Sequence, residues 1–389
     1  MHLLSALMIA VLLLTGMGAA LLGSIKLPLA ARLRIDEARV GGLVSLFGFI
    51  MIPVIFAAGF LTDLLGRHVV LGSGSALLAL SLALLAAART YPLALLATVL
   101  LSGGWSLLVN VGNVLTPHAF PGSLSYATNL ANVFFGLGAM LTPLGVAFLV
   151  RRSSLATALA LLTGLALVPA LLSSGADLTT VAASVGAAAT SAPIHELDLS
   201  GLLADPLLWL CGLALFCYGP LEASLAAWST TYLTERGVQA ERAATLLSGF
   251  WLAFMAARLA TAFSLSAGQE AVLILVLALL CVAVLLSMAL CRRASTAMAL
   301  VLAAGLVFGP VFPTLMAILL GHFPPAVHGR AVGLLFAIGG MGWTVIPLLI
   351  GAYARRTGLQ RGLFIAVAAA VGLCLVALVL VVRVTAPGA

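Results

Sequence analysis

The chain has 389 residues, 63% of them hydrophobic and 7% charged, and its 18 lysines and arginines outnumber 11 acids to leave a net charge of +7. Soluble domains carry about 25% charged residues. A soluble enzyme, a nucleic-acid binder and a disordered chain are therefore excluded.

Apolar runs of about 20 residues recur along the chain, and each is long enough to cross the roughly 30 Å hydrocarbon core as a helix. Polar breaks predict spans near 4–30, 40–61, 69–88, 93–115, 125–150 and 154–173. A second set follows near 206–233, 243–265, 271–291, 296–320, 331–353 and 363–383. The first segment, Leu3 to Ile25, lacks a basic start and is longer than a signal peptide's apolar region, so it is expected to be a retained span. Residues 174–205 are rich in Ser, Thr, Ala and Gly, carry Asp177, Glu196, Asp198 and Asp205, and show no hydrophobic period. They read as a cytoplasmic linker between bundles at 1–173 and 206–389. The expected fold is an all-α membrane protein with 12 transmembrane helices in two pseudo-symmetric six-helix bundles.

An internal repeat supports two halves. A shift of 204 residues lays His118 on His322, Pro121 on Pro325, Gly138 on Gly342, Pro143 on Pro347 and Arg151-Arg152 on Arg355-Arg356. A shift of 196 lays Gly23 on Gly219 and Lys26 on Glu222. Six-span repeats of this kind build many secondary transporters. The five cysteines, Cys211, Cys217, Cys281, Cys291 and Cys374, form no CxxC and read as packing thiols. No nucleophile–base set or metal spacing is present, so the expectation is a non-enzyme without cofactor or metal.

Between spans 2 and 3 runs Gly59-Phe60-Leu61-Thr62-Asp63-Leu64-Leu65-Gly66-Arg67-His68. It resembles the G-x-L-x-D-x-x-G-R-K loop of the major facilitator superfamily, with His68 in place of the final lysine. Gly59 and Gly66 suit close helix approach and a tight turn, and Asp63 and Arg67 suit a bridge between helix ends. The resemblance implies that Asp63 and Arg67 help open and close the cytoplasmic side.

Three further stretches resemble the fucose-permease-like branch. They are Tyr218-Gly219-Pro220-Leu221-Glu222 with Trp228 and Tyr232, then Gly309-Pro310-Val311-Phe312-Pro313-Thr314 with Gly339-Gly340 and Pro347, and Asn129 with Phe135 to Ala139 and Pro143. That likeness implies sugar transport coupled to protons. The chain departs from the branch where its members carry acids in spans 1 and 4: Ser24 and either Val109 or Asn110 stand there instead.

Charges at mid-bilayer cost about 2.5–3.5 kcal/mol on insertion scales, which makes retained ones functional candidates. The spans hold three, Lys26, Glu222 and Arg258. The 196-residue shift predicts Lys26 and Glu222 at matching positions of spans 1 and 7, facing one another over the pathway. Glu222 is then the expected proton or substrate carrier, Lys26 its partner, and Arg258 a group for a carboxylate, for Glu222 or for substrate hydroxyls. Asn110 and Asn113, and Asn129 and Asn132, are each three apart and share a helix face. They suit either substrate hydroxyls or helix contacts, and Tyr218 and Trp228 join the candidates, Trp228 by stacking on a sugar ring. The histidines receive no chemical role.

Placing the Asp63–Arg67 loop in the cytoplasm leaves three basic residues inside, thirteen outside and two within spans, the reverse of the positive-inside rule. A basic outer rim also suits an anionic solute. The overall expectation is proton-coupled symport of a sugar-like solute by alternating access, in a monomer of a bacterial-type inner membrane whose partners are solute, protons and lipids. An organic-anion carrier using Lys26 and Arg258, a drug exporter and a non-transporting receptor on the same fold are the alternatives.

Overall fold

The computed structural model describes residues 2–175 and 199–385, so residues 176–198 of the expected linker lie outside it. Seven helices precede that gap: α1 (His2–Ser24), α2 (Lys26–Leu33), α3 (Glu37–Leu64), α4 (Arg67–Ala87), α5 (Tyr91–Ala119), α6 (Leu124–Arg152) and α7 (Leu155–Gly175). Eight follow: α8 (Leu199–Ala204), α9 (Pro206–Thr234), α10 (Ala240–Ser264), α11 (Glu270–Leu290), α12 (Ala294–Phe308), α13 (Val311–His322), α14 (His328–Thr357) and α15 (Leu359–Thr385). Among the described residues there is no strand, and twelve spans are long and apolar enough to cross a membrane. The chain is a multi-pass integral membrane protein.

Local chemistry sets the helix starts. Asp36 caps α3 by accepting the Arg39 N–H at 2.8 Å. Asp205 caps α9 by accepting the Leu207 N–H at 2.7 Å, with Pro206 at the first helical position, where its missing N–H costs nothing. Gly66 precedes α4 with φ +87°, a conformation that side chains with a Cβ rarely adopt.

The helices form two compact units. Unit 1 draws on Met1–Pro121, Ala131–Asp198 and Phe323–Leu334, and unit 2 on Gly122–Leu130, Leu199–His322 and Leu335–Ala389. The start of α6 thus belongs to unit 2 and the start of α14 to unit 1. Within unit 1, α4 packs on α5 and α7, α3 on α5, and α1 on α5 and α7. Within unit 2, α11 packs on α12 and α15, α10 on α12, and α9 on α13 and α15. The pairings correspond one to one.

The helix starts fix the register of this repeat. α1 and α9 begin at residues 2 and 206, α4 and α11 at 67 and 270, and α6 and α14 at 124 and 328. That offset of 203 or 204 residues places Lys26 opposite Thr230 in the repeat and Glu222 opposite Gly18. The 196-residue match of Lys26 with Glu222 is corrected accordingly, since coincidences are frequent in Ala- and Leu-rich helices. Within its own chain segment Lys26 also lies elsewhere than expected. The helix breaks at Ile25 (φ −95°, ψ 2°), the first span ends at Ser24, and Lys26 opens the short helix α2.

The molecule presents apolar side chains outward, Leu171 and Phe263 both 71% exposed, and buries Ser75, Ser81, Thr98, Ser102 and Ser106. In lipid there is no hydrophobic drive between helices, and small side chains allow the close approach that dispersion needs. The cysteines are free thiols, as packing residues would be.

Candidate functional site

Two polar clusters stand out, one in each unit. The cluster of unit 2 forms where span 10 breaks between α12 and α13. Pro310 and Pro313 have no N–H, so the carbonyls of Leu306 and Gly309 lose their helical donors. Another helix makes up the loss at Gly309, and a second one reaches the adjacent carbonyl of Phe308. Arg258 of α10 donates from Nε to the Gly309 carbonyl at 2.8 Å, and the Tyr218 hydroxyl of α9 donates to the Phe308 carbonyl at 2.8 Å. The negative end of the α12 dipole thus faces a cation.

Arg258 is 3% exposed, its guanidinium carbon 4.2 Å from the centre of the Phe254 ring. It points into the bundle and does not reach for the headgroups. Tyr218 and Glu222 are its polar neighbours on α9. Glu222, one turn beyond Tyr218 on α9, places Oε2 3.0 Å from the Tyr218 hydroxyl. Both residues fall near the middle of the 29-residue span Pro206–Thr234.

The proton count at Tyr218 is informative. A phenol has one proton to donate, yet two acceptors stand within reach, the Phe308 carbonyl and the Glu222 carboxylate. When Glu222 carries a proton it donates to the Tyr218 oxygen, and Tyr218 donates to Phe308. When Glu222 is ionised the two acceptors compete for a single hydrogen. The protonation of one carboxyl group therefore bears directly on a backbone carbonyl at the helix break.

The cluster of unit 1 is built on the loop motif. Asp63 Oδ1 accepts the Gly329 N–H at 2.9 Å, and Oδ2 accepts the Arg330 N–H at 2.9 Å and Arg330 Nε at 3.0 Å. Its side chain is 7% exposed. The carboxylate thus meets the unpaired N–H groups and positive dipole of the α14 start, and pairs with Arg330 instead of Arg67. Arg67 donates to His118 Nε2 and to the Pro325 carbonyl, both at 3.4 Å. Gly59 lets the backbones meet: a Cβ there would stand 2.5 Å from the Gly329 carbonyl oxygen.

The remaining candidates separate by environment. Asn110 Nδ2 donates to the Gly329 carbonyl at 3.0 Å, which adds it to the α14 contact. Asn113 donates to Val109 of its own helix at 2.8 Å. Asn129 donates to the Ser125 carbonyl at 2.9 Å and to Thr314 Oγ1 at 3.4 Å. Buried Oδ1 atoms of Asn110 and Asn129 make no hydrogen bond among the described residues. Trp228 packs against α14, with Cζ2 2.8 Å from where a Cβ on Gly351 would stand, so its ring is engaged in helix packing.

Arg330, Gly329 and His118 were not singled out from sequence, and the histidines have partners: His322 Nε2 lies 2.8 Å from Asp205 Oδ2. A signal for the first two did exist in the Gly-Arg pair four residues after Pro325, which places two free N–H groups at a helix start.

The family model of the Major Facilitator Superfamily matches residues 7–330. The chain belongs to that superfamily. Members of the superfamily are transporters, not enzymes. Its fold is similar to that of the Escherichia coli fucose:proton symporter FucP, with a TM-score of 0.77 and 18% identity over 96% of this chain and 98% of that one. The proton:xylose symporter XylE gives a TM-score of 0.81 at 13% identity, over 98% and 95% of the two chains. The human organic anion transporter MFSD10 (TETRAN) gives 0.74 at 18% identity, over 97% and 99%. At these identities the likeness is one of fold. The Saccharomyces cerevisiae "Bypass of stop codon protein 6" is 28% identical in a 172-residue alignment that covers 41% of this chain. The match spans about a third (34%) of that yeast protein.

Proposed function

We propose that this superfamily member is a proton-coupled symporter of a small polar solute, a sugar or sugar-like compound, with Glu222 as the proton carrier. The observation that carries the reading is the placement of Glu222 beside Tyr218 and Arg258 at a helix break halfway along span 10. Broken helices at mid-membrane are where secondary transporters hold ions and substrate. Protonation of Glu222 frees the Tyr218 hydrogen for the Phe308 carbonyl, and deprotonation draws it back toward the carboxylate. The proton then selects between two hydrogen-bond arrangements of the α12–α13 joint, which is the bistable element that coupling needs. A proton falling through 100 mV supplies about 2.3 kcal/mol, enough for roughly 50-fold accumulation.

The fucose and xylose symporters of similar fold agree with this substrate class. The organic anion transporter of similar fold favours an anionic solute, but Arg258 donates to the Gly309 carbonyl at the helix break, and Lys26 lies past the end of span 1. Uptake of neutral against acidic sugars into proteoliposomes, driven by an imposed pH gradient, tests the proposal. Accumulation of the neutral class supports it, and accumulation of only acidic sugars overturns it.

A further inference from the structure

One end of unit 2 gathers basic residues that the transport reading does not use. Arg236 donates to the Cys291 carbonyl from Nε and Nη2, at 3.2 and 3.1 Å, and lies 3.7 Å above the Tyr232 ring. Gln360 donates to the Ala289 and Cys291 carbonyls at 2.8 and 3.3 Å. These bonds tie the end of α9, the α11–α12 turn and the α14–α15 turn into one patch. Arg292 and Arg293 directly follow Cys291, Arg361 follows Gln360, and Arg355 and Arg356 end α14. Glu235 stands beside Arg236 in the chain, and Glu241 opens α10. Among the described residues no carboxylate forms an ion pair with any of these six arginines.

Below Arg361 runs a groove of about 570 Å³, lined by Tyr353 of α14 and by Arg361, Phe364, Ile365 and Ala368 of α15. The spacing of the last four puts them on one face of α15, covering roughly 10 Å along the helix axis. Tyr353 and Phe364 are 46% and 45% exposed. The groove is thus cationic at its mouth and apolar along its length, with the Tyr353 ring about one turn from the end of α14. A free inorganic anion uses only the mouth. A ligand that uses both parts has a negative head and an acyl tail.

We propose that this site holds an anionic membrane phospholipid, its phosphate at Arg361 within the surrounding arginines and one acyl chain along Phe364, Ile365 and Ala368. Clusters of arginine beside a membrane span recognise anionic lipid in this way. The purified full chain, exchanged into neutral detergent and titrated with phosphatidylglycerol or phosphatidylcholine under native mass spectrometry, provides the test. Phosphatidylglycerol should be retained at least tenfold better than phosphatidylcholine. Arg361→Ala should remove that preference, and Ala368→Trp, which fills the groove, should lower retention of both lipids. Inorganic phosphate at equal concentration should not displace phosphatidylglycerol. Equal retention of the two lipids, an unchanged preference in folded Arg361→Ala, or full displacement by phosphate would each overturn the proposal.

Discussion

Asp63 and Arg330, 267 positions apart in the chain, meet through two hydrogen bonds: the carboxylate of one accepts both the backbone N–H and the Nε of the other. With the Gly329 N–H as a third donor, Asp63 closes the start of α14 onto the end of α3. The loop motif is therefore a helix cap supplied by another helix. Such a cap can be made and broken in a transport cycle without either helix unfolding.

Removing that acceptor should be costly because the groups it leaves behind are shielded from water. Asp63→Ala is expected to destabilise the protein by about 2–4 kcal/mol, the range for breaking a buried, charge-assisted contact. Solute counterflow should fall at least tenfold. Asp63→Asn, which keeps one acceptor oxygen, should lie between. Thermal unfolding in detergent together with counterflow in proteoliposomes checks both numbers, and an unchanged transport rate in Asp63→Ala would remove the motif from the cycle.

The two motif glycines should behave differently. Gly59→Ala puts a Cβ against backbone that cannot step aside, so it should separate α3 from the start of α14 and abolish transport. Gly66 has open space around it and is constrained only by its φ of +87°. Gly66→Ala should cost about 1 kcal/mol in strain, and Gly66→Asn less, since Asn tolerates the left-handed region. Comparing transport of the two alanine variants at equal expression separates close approach from conformation.

The spans were legible because a 20-residue apolar run has few other readings, and the motif loop was legible because its Gly, Asp and Arg positions are sparse in this composition. The Lys26–Glu222 match failed for the opposite reason. In sequence so rich in Ala and Leu, a shift by eight residues still finds identities, and only the helix starts settle the register. The α12–α13 break was carried by Pro310 and Pro313, yet its consequence lay in residues 50 to 90 positions away that donate to the carbonyls beside it. Pairings of that kind depend on which helices adjoin, which no local pattern encodes. Trp228 shows the same limit: its ring meets Gly351 on a helix more than 100 residues later in the chain.

That contact makes its own prediction. Trp228→Ala should destabilise the protein by about 3 kcal/mol through lost packing, while the KM for solute stays within about twofold of the parent. A KM rise of tenfold or more at unchanged stability would instead return Trp228 to the substrate site.

Arg258 and Glu222 should act as a coupled pair. Each single change, Arg258→Gln or Glu222→Gln, leaves its mid-span partner with reduced compensation, and the double change removes both charges together. A double-mutant cycle on thermal stability is expected to give a coupling of about 1–3 kcal/mol, with the double variant more stable than the sum of its parts implies. Additive effects would show that the two groups act independently.

The account rests on a proton carried by Glu222, and solute transport by Glu222→Gln in proteoliposomes tests it most directly. Glutamine keeps the size of the side chain and cannot release a proton. The variant should lose accumulation driven by a pH gradient while retaining solute counterflow, which needs no net proton movement. Undiminished accumulation that still responds to the pH gradient would contradict the account.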